Sequence, residues 1–138
     1  MTTRIVSIAG LVVLTGLLTG FFPKTIAENT PLKKAVIKVT ILYPNAAGKK
    51  FDMDYYSNTH MPMVAGLLGD SLKLFEIDKG IAGRTPADPI PYLAIGYLYF
   101  DRLSAYQNSF RPHAEKIRSD IANYTDIQPV IQISEVVR

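Results

Sequence analysis

The chain has 138 residues, with 15 Lys and Arg against 12 Asp and Glu for a net charge of +3, and it contains no cysteine. That composition excludes disulfides and thiolate catalysis, and a chain of this length supports one modest hydrophobic core rather than two domains. No nucleic acid is expected, because no basic-aromatic signature is evident and the net charge falls to +1 once the N-terminal segment read below as a signal is removed.

Residues 1–27 carry the ordered parts of a secretory signal: Arg4, an apolar run from Ile5 to Phe22, and the small residues Thr25 and Ala27. The expectation is an exported, periplasmic or secreted protein cleaved after Ala27. The apolar run is nearly long enough to cross a hydrocarbon core, so an uncleaved N-terminal membrane anchor is the alternative. A buried helix is disfavoured by the glycines and threonines within the run and by Pro23 after it. Cleavage would remove Arg4 and Lys24, lower the net charge to +1, and leave no expected membrane contact. Residues 28–35 read as a polar lead-in and residues 36–138 as the domain.

Within that domain, Val36 to Tyr43 alternates branched and aromatic residues and predicts a strand ended by Pro44 and Asn45. Asp52 can cap a helix that runs to Leu68 and closes at Gly69, with Pro62 predicting a kink close to His60. Leu72 to Asp78 predicts a second strand. The loop from Gly80 to Pro91 is the largest break in regular structure. Tyr92 to Phe100 is apolar or small on both faces, as a central strand covered on both sides would be. Asp101 can cap a second helix passing Tyr106 and Phe110, disturbed at Pro112 and resuming through Ile117 and Ile121. Ile127 to Val137 holds the last strand, its start limited by Pro129. The order β-α-β-β-α-β predicts an α+β, ferredoxin-like sandwich: a four-stranded antiparallel sheet with two helices on one face. The other face is left with apolar residues, which predicts a homodimer formed through it.

Two histidines are the candidate catalytic residues. His60 lies in FDMDYYSNTHMPMV and His113 in YQNSFRPHAEKIRSDIANYTD, each beside a proline and an apolar helical stripe. Imidazole suits proton transfer near neutral pH, and partial burial lowers its pKa unless a carboxylate compensates. A structural role, with the ring packed and one hydrogen bond donated, is the competing reading for both. His113 and Asp120 are too far apart along a helix to pair directly. Asp52 and Asp54 read as a cap and a first-turn charge rather than as paired catalytic carboxylates. Tyr55, Tyr56, Tyr97, Tyr99 and Tyr124 can line an apolar pocket with hydroxyls for a small oxygenated ligand, Tyr97 and Tyr99 together because they share a strand face. Neither the histidine spacing nor any glycine-rich turn supports a metal or nucleotide cofactor, so none is expected. Asn123-Tyr124-Thr125 matches a glycosylation acceptor and also suits a turn.

Three segments resemble the EthD family, a branch of the dimeric α/β-barrel superfamily: VTILYPNAAGKKFDMDYYSNTHMPMV, PYLAIGYLYFDRLSAYQNSF and PHAEKIRSDIANYTDIQPVIQISEVV. The resemblance spans about residues 36 to 137. It implies a ferredoxin-like subunit forming a dimeric α/β barrel with a partner, and a cleft between sheet and helices. It also implies a link with ether degradation, with members often labelled reductases. Superfamily relatives include lactone isomerases, polyketide cyclases and cofactor-free monooxygenases. His60, within NTHMP, is the first-choice pocket residue on this resemblance and His113, within PHA, the second. The implied activity is a cofactor-independent isomerase, cyclase or related tailoring enzyme for a small oxygenated hydrophobic compound. A non-catalytic small-molecule binding or accessory protein of the envelope is the alternative, and an EthD-type reductase the third reading.

Overall fold

The structure, a computed structural model, describes residues 36–137. The expected signal segment and lead-in, residues 1–35, lie outside the described residues. Strand β1 (Val36–Pro44) is followed by a first helical run: α1 (Met53–Tyr55), a π-helical turn (Tyr56–His60), α2 (Met61–Leu68) and a 3₁₀ turn (Gly69–Ser71). Strands β2 (Leu74–Lys79) and β3 (Tyr92–Phe100) come next. The second helical run comprises α3 (Leu103–Phe110), a 3₁₀ turn (Arg111–His113), α4 (Ala114–Asp120) and a 3₁₀ turn (Ile121–Asn123), before strand β4 (Val130–Val136). Among the described residues no helix is long and apolar enough to cross a membrane.

The strands form one sheet in the order β2-β3-β1-β4, with every neighbouring pair antiparallel. The ferredoxin-like sandwich is therefore present, but the barrel is a correction. The sheet is open, with β2 and β4 at opposite edges and no pairing between them. Four strands, each turned about 20–25° from its neighbour, sweep too short an arc for the edges to meet.

Register explains which residues meet the helices. Val39 pairs with Leu98, Ile37 with Phe100 and Tyr43 with Ala94, so these share the covered face. Val39, Tyr43, Ala94, Leu98 and Phe100 are buried there against Val64, Leu68, Ile117 and Tyr124. The opposite face carries Lys38, Thr40, Leu42, Ile95, Tyr97 and Tyr99, which alternate with the core residues and stay partly exposed.

Local capping follows the sequence in one helical run and departs from it in the other. The Asp52 carboxylate accepts the backbone N–H of Tyr55 at 2.9 Å, as its cap role requires, and Gly69 closes α2 at φ 54°. Asp101 does not cap the second run. Arg102 occupies that position with no side-chain bond, and Asp101 faces Lys73 Nζ at 3.6 Å.

Candidate functional site

Pro62 has no backbone N–H to give to the preceding turn, and the chain resolves this by widening. Over Tyr56–His60 the bonding becomes i→i+5, and the N–H of Met61 reaches the carbonyl of Tyr56. The expected kink is thus a π-turn. It sets the ring of His60 over that of Tyr56, with centroids 5.7 Å apart and planes 19° from parallel.

His60 is 4% exposed. Its Nδ1 lies 2.7 Å from Oδ2 of Asp120 at the end of α4. The other carboxylate oxygen, Oδ1, accepts from the Tyr55 hydroxyl at 3.0 Å and the Asn123 amide at 2.8 Å. Burial lowers the pKa of His60 below its ordinary 6.5, and the Asp120 contact offsets this only in part. For Asp120, burial acts upward, but the hydrogen bonds from His60, Asn123 and Tyr55 together hold it below its ordinary 3.8. At neutral pH the pair is an uncharged imidazole beside an ionised carboxylate. Nδ1–H then donates to Asp120, and Nε2 is left as the basic nitrogen.

The cavity beside His60 has a volume of about 790 Å³ and lies between the covered sheet face and the second helical run. Its walls include Val39, Ile41, Val64, Leu98, Phe110 and Ile117, with Tyr43 and His60 among the polar groups. The Tyr43 hydroxyl lies 2.6 Å from that of Tyr124, and burial pushes the Tyr43 phenol up to about 12. A second, more open hollow of about 780 Å³ is lined by Lys50, Asp52, Asp54, Lys79 and Asn123, among others. It holds no histidine, whereas His60 lines the first. Among the described residues no three His, Asp or Glu side chains are grouped to hold a metal ion.

The candidate residues separate. His60, Tyr55, Tyr56 and Tyr124 come together: Tyr124 lies 4.7 Å from His60 ring to ring, and Tyr55 bonds to the same carboxylate. Tyr56 is fully enclosed and packs beneath His60 without lining the cavity, its hydroxyl lacking a partner. Tyr97 and Tyr99 sit on the face turned away from the helices, donating to Asp78 at 2.9 Å and Glu76 at 2.7 Å, and so do not join His60. His113, in the 3₁₀ turn Arg111–His113, is half-buried and is not part of the cavity wall. The Asn123-Tyr124-Thr125 motif is engaged internally, with the Thr125 hydroxyl buried and donating to the Lys50 carbonyl at 2.6 Å.

Asp120 and Tyr43 are the site residues that the sequence reading missed. A signal existed for Asp120: it stands three residues after Ile117 on an inward stripe, at a helix C-terminus where the macrodipole disfavours a carboxylate. A buried cation or hydrogen-bond donor from another element was the partner to seek.

The family model described as the EthD domain matches residues 47–128. The chain is similar to the solved structure of an EthD-like protein from Ralstonia eutropha JMP134, 40% identical over 77% of this chain and 96% of that one, with a TM-score of 0.73. An ethyl tert-butyl ether D (EthD) family protein from Bacillus halodurans C-125 is 19% identical over 74% of this chain and 99% of that one, TM-score 0.58. A dimeric ferredoxin-like protein of unknown function from Thermobifida fusca YX is 13% identical over 78% and 97%, TM-score 0.52. No functionally curated protein matches the chain.

Proposed function

The chain belongs to the EthD family, and from that premise we propose that it is a cofactor-independent isomerase, cyclase or related tailoring enzyme for a small oxygenated hydrophobic compound. The observation that carries the reading is a buried imidazole whose Nδ1 is bonded to Asp120 at 2.7 Å while its ring lines an apolar cavity. In the proposed step, Nε2 of His60 removes a proton from the carbon next to a carbonyl, and Asp120 steadies the imidazolium that forms. In that step Tyr43 would donate to the developing oxyanion and accept from Tyr124 in turn, the direction their 2.6 Å contact leaves open. His60 later returns the proton at a different carbon or oxygen.

The test uses the chemistry rather than the unknown product. The protein in D₂O is expected to accelerate deuterium incorporation into apolar enolisable ketones or 1,3-dicarbonyls, followed by proton NMR. If no member of such a panel that binds the protein exchanges faster than in buffer, proton abstraction is the wrong reading. The cavity would then serve binding alone.

We also propose that a second copy covers the open sheet face. Leu42, Ile95, Tyr97 and Tyr99 are partly exposed there, and Leu74 and Val130, which pair into the same face, are 52% and 54% exposed. The Thermobifida relative is described as dimeric. Light scattering of the purified protein is expected to give twice the chain mass, and a monomer at tens of micromolar would refute the assignment.

A further inference from the structure

The polar groups along the His60 cavity divide by whether the protein already uses them. Tyr43 is engaged with Tyr124 at 2.6 Å. The Thr125 hydroxyl donates to the Lys50 carbonyl and accepts from the N–H of Ile127 at 3.0 Å. Asp126 accepts from the N–H of Lys50 at 2.8 Å and faces Lys49 Nζ at 3.8 Å, so its negative charge is answered within the fold. Arg118 differs. It is exposed to solvent and lines the same cavity, and among the described residues no carboxylate lies within salt-bridge range of it.

Its position is set by two further features. At about 100° per residue, Arg118 and Asp120 fall on opposite sides of the stripe made by Ile117 and Ile121. One side of α4 thus supplies the carboxylate bonded to His60 and the other places a cation at the cavity wall. The guanidinium carbon stands 5.9 Å from the Phe110 ring centroid, an arrangement that holds the head group over an aromatic face of the same cavity. The base is uncharged at neutral pH, so Arg118 is the one charged lining group without an ionic partner among the described residues.

We infer that the ligand of this cavity is a hydrophobic acid, with an apolar or aromatic body along Phe110, Ile117 and Val64 and an anionic oxygen of carboxylate type set against Arg118. Arg118 is a specificity-determining residue that selects the ionised acid over its neutral counterparts. The inference deepens the proposed function, because it rests on the His60 cavity being the ligand site. A planar guanidinium can meet both oxygens of a carboxylate, which a neutral amide or ester cannot match.

The experiment titrates the full chain with 4-phenylbutyrate and with its primary amide by calorimetry. The acid is expected to bind about tenfold or more tightly than the amide, the strength of one charge-assisted contact. Arg118→Gln is expected to bring the acid down to the affinity of the amide and leave the amide unchanged, while Arg118→Lys keeps part of the preference. Equal binding of acid and amide to the wild-type protein, no binding of the acid, or a preference that survives Arg118→Gln each overturns the inference. His60→Ala separates it from the proton-transfer reading. The acid preference is expected to persist in that variant, so a failure of catalysis and a failure of acid selection appear in different measurements.

Discussion

Replacing His60 with alanine is expected to slow proton exchange by about 10²- to 10⁴-fold, the usual span for a positioned general base. Ligand affinity should change far less, because the cavity walls are mostly apolar and come from several elements. His60→Gln is the companion variant: it keeps volume and a donor toward Asp120 but has no basic nitrogen, so it should be as slow as the alanine. Asp120→Asn tests the orienting role. Without the carboxylate, Nδ1–H is no longer held as a donor, the other tautomer becomes available, and a loss on the order of 10²-fold is expected. The pH profile carries the sign. In the proposed step the neutral imidazole is the active form and its pKa lies below 6.5, so the rate should be flat near neutrality and fall on an acid limb below that value. Asp120 raises the His60 pKa against the effect of burial, so its removal should move the limb to still lower pH. Rates of His60→Ala within threefold of wild type, or an acid limb that rises when Asp120 is neutralised, would sink the assignment.

Gly96→Ala is expected to destabilise the protein by about 1–3 kcal/mol, the range for overpacking a closed core. A Cβ at Gly96 would collide with the hydroxyl of Tyr56. That hydroxyl ends a long side chain, but the ring cannot give way: it is enclosed by Tyr43, Phe51 and Tyr124, each 5.3 Å away centroid to centroid. Tyr56→Phe should be close to neutral, since the hydroxyl it removes is buried and unpaired. The double variant should recover most of the loss, because the two positions share one clash and cannot be additive. Urea denaturation of the four proteins measures this cycle. Simple addition of the two single effects would show that Tyr56 and Gly96 do not meet as described.

Much of the fold was legible because its strongest elements repeat one physical signal. Tyr92–Phe100 could be bounded from its sequence to the residue, since a run apolar on both faces and closed by Asp101 has few other uses. Asp52 and Gly69 worked as caps because each acts within a few residues of itself. Asp101 failed by the same logic: its neighbour Lys73 comes from the link before β2, and no local rule could see it.

The site was less legible because its decisive contacts are long-range. Asp120 was weighed against His113, seven residues away on the same helical run, whereas its partner His60 is 60 residues distant. Tyr97 and Tyr99 were correctly placed on one face of their strand, but period-two alternation cannot say which face meets the helices when both are apolar. Only pairing with Lys38 and Thr40 settles that question. The Gly96 contact shows the same dependence. A glycine in mid-strand signals close approach, yet the group that approaches is a tyrosine forty residues earlier in the chain.

The widened turn at Tyr56–His60 has a consequence for how this site tolerates change in chain length. A turn closed by an i→i+5 bond holds about one residue more than the α-turn it replaces. Removing one of Ser57, Asn58 or Thr59 would therefore take out that surplus residue and rotate the two ends of the run from Met53 to Leu68 by about 100° relative to each other, while Pro62 would still deny the preceding turn its N–H. Met61, Val64 and Leu68 could keep their places in the core only if Tyr56 left its own, or the reverse. The phase of the helix and the aim of the base are thus a single variable, set by one surplus residue.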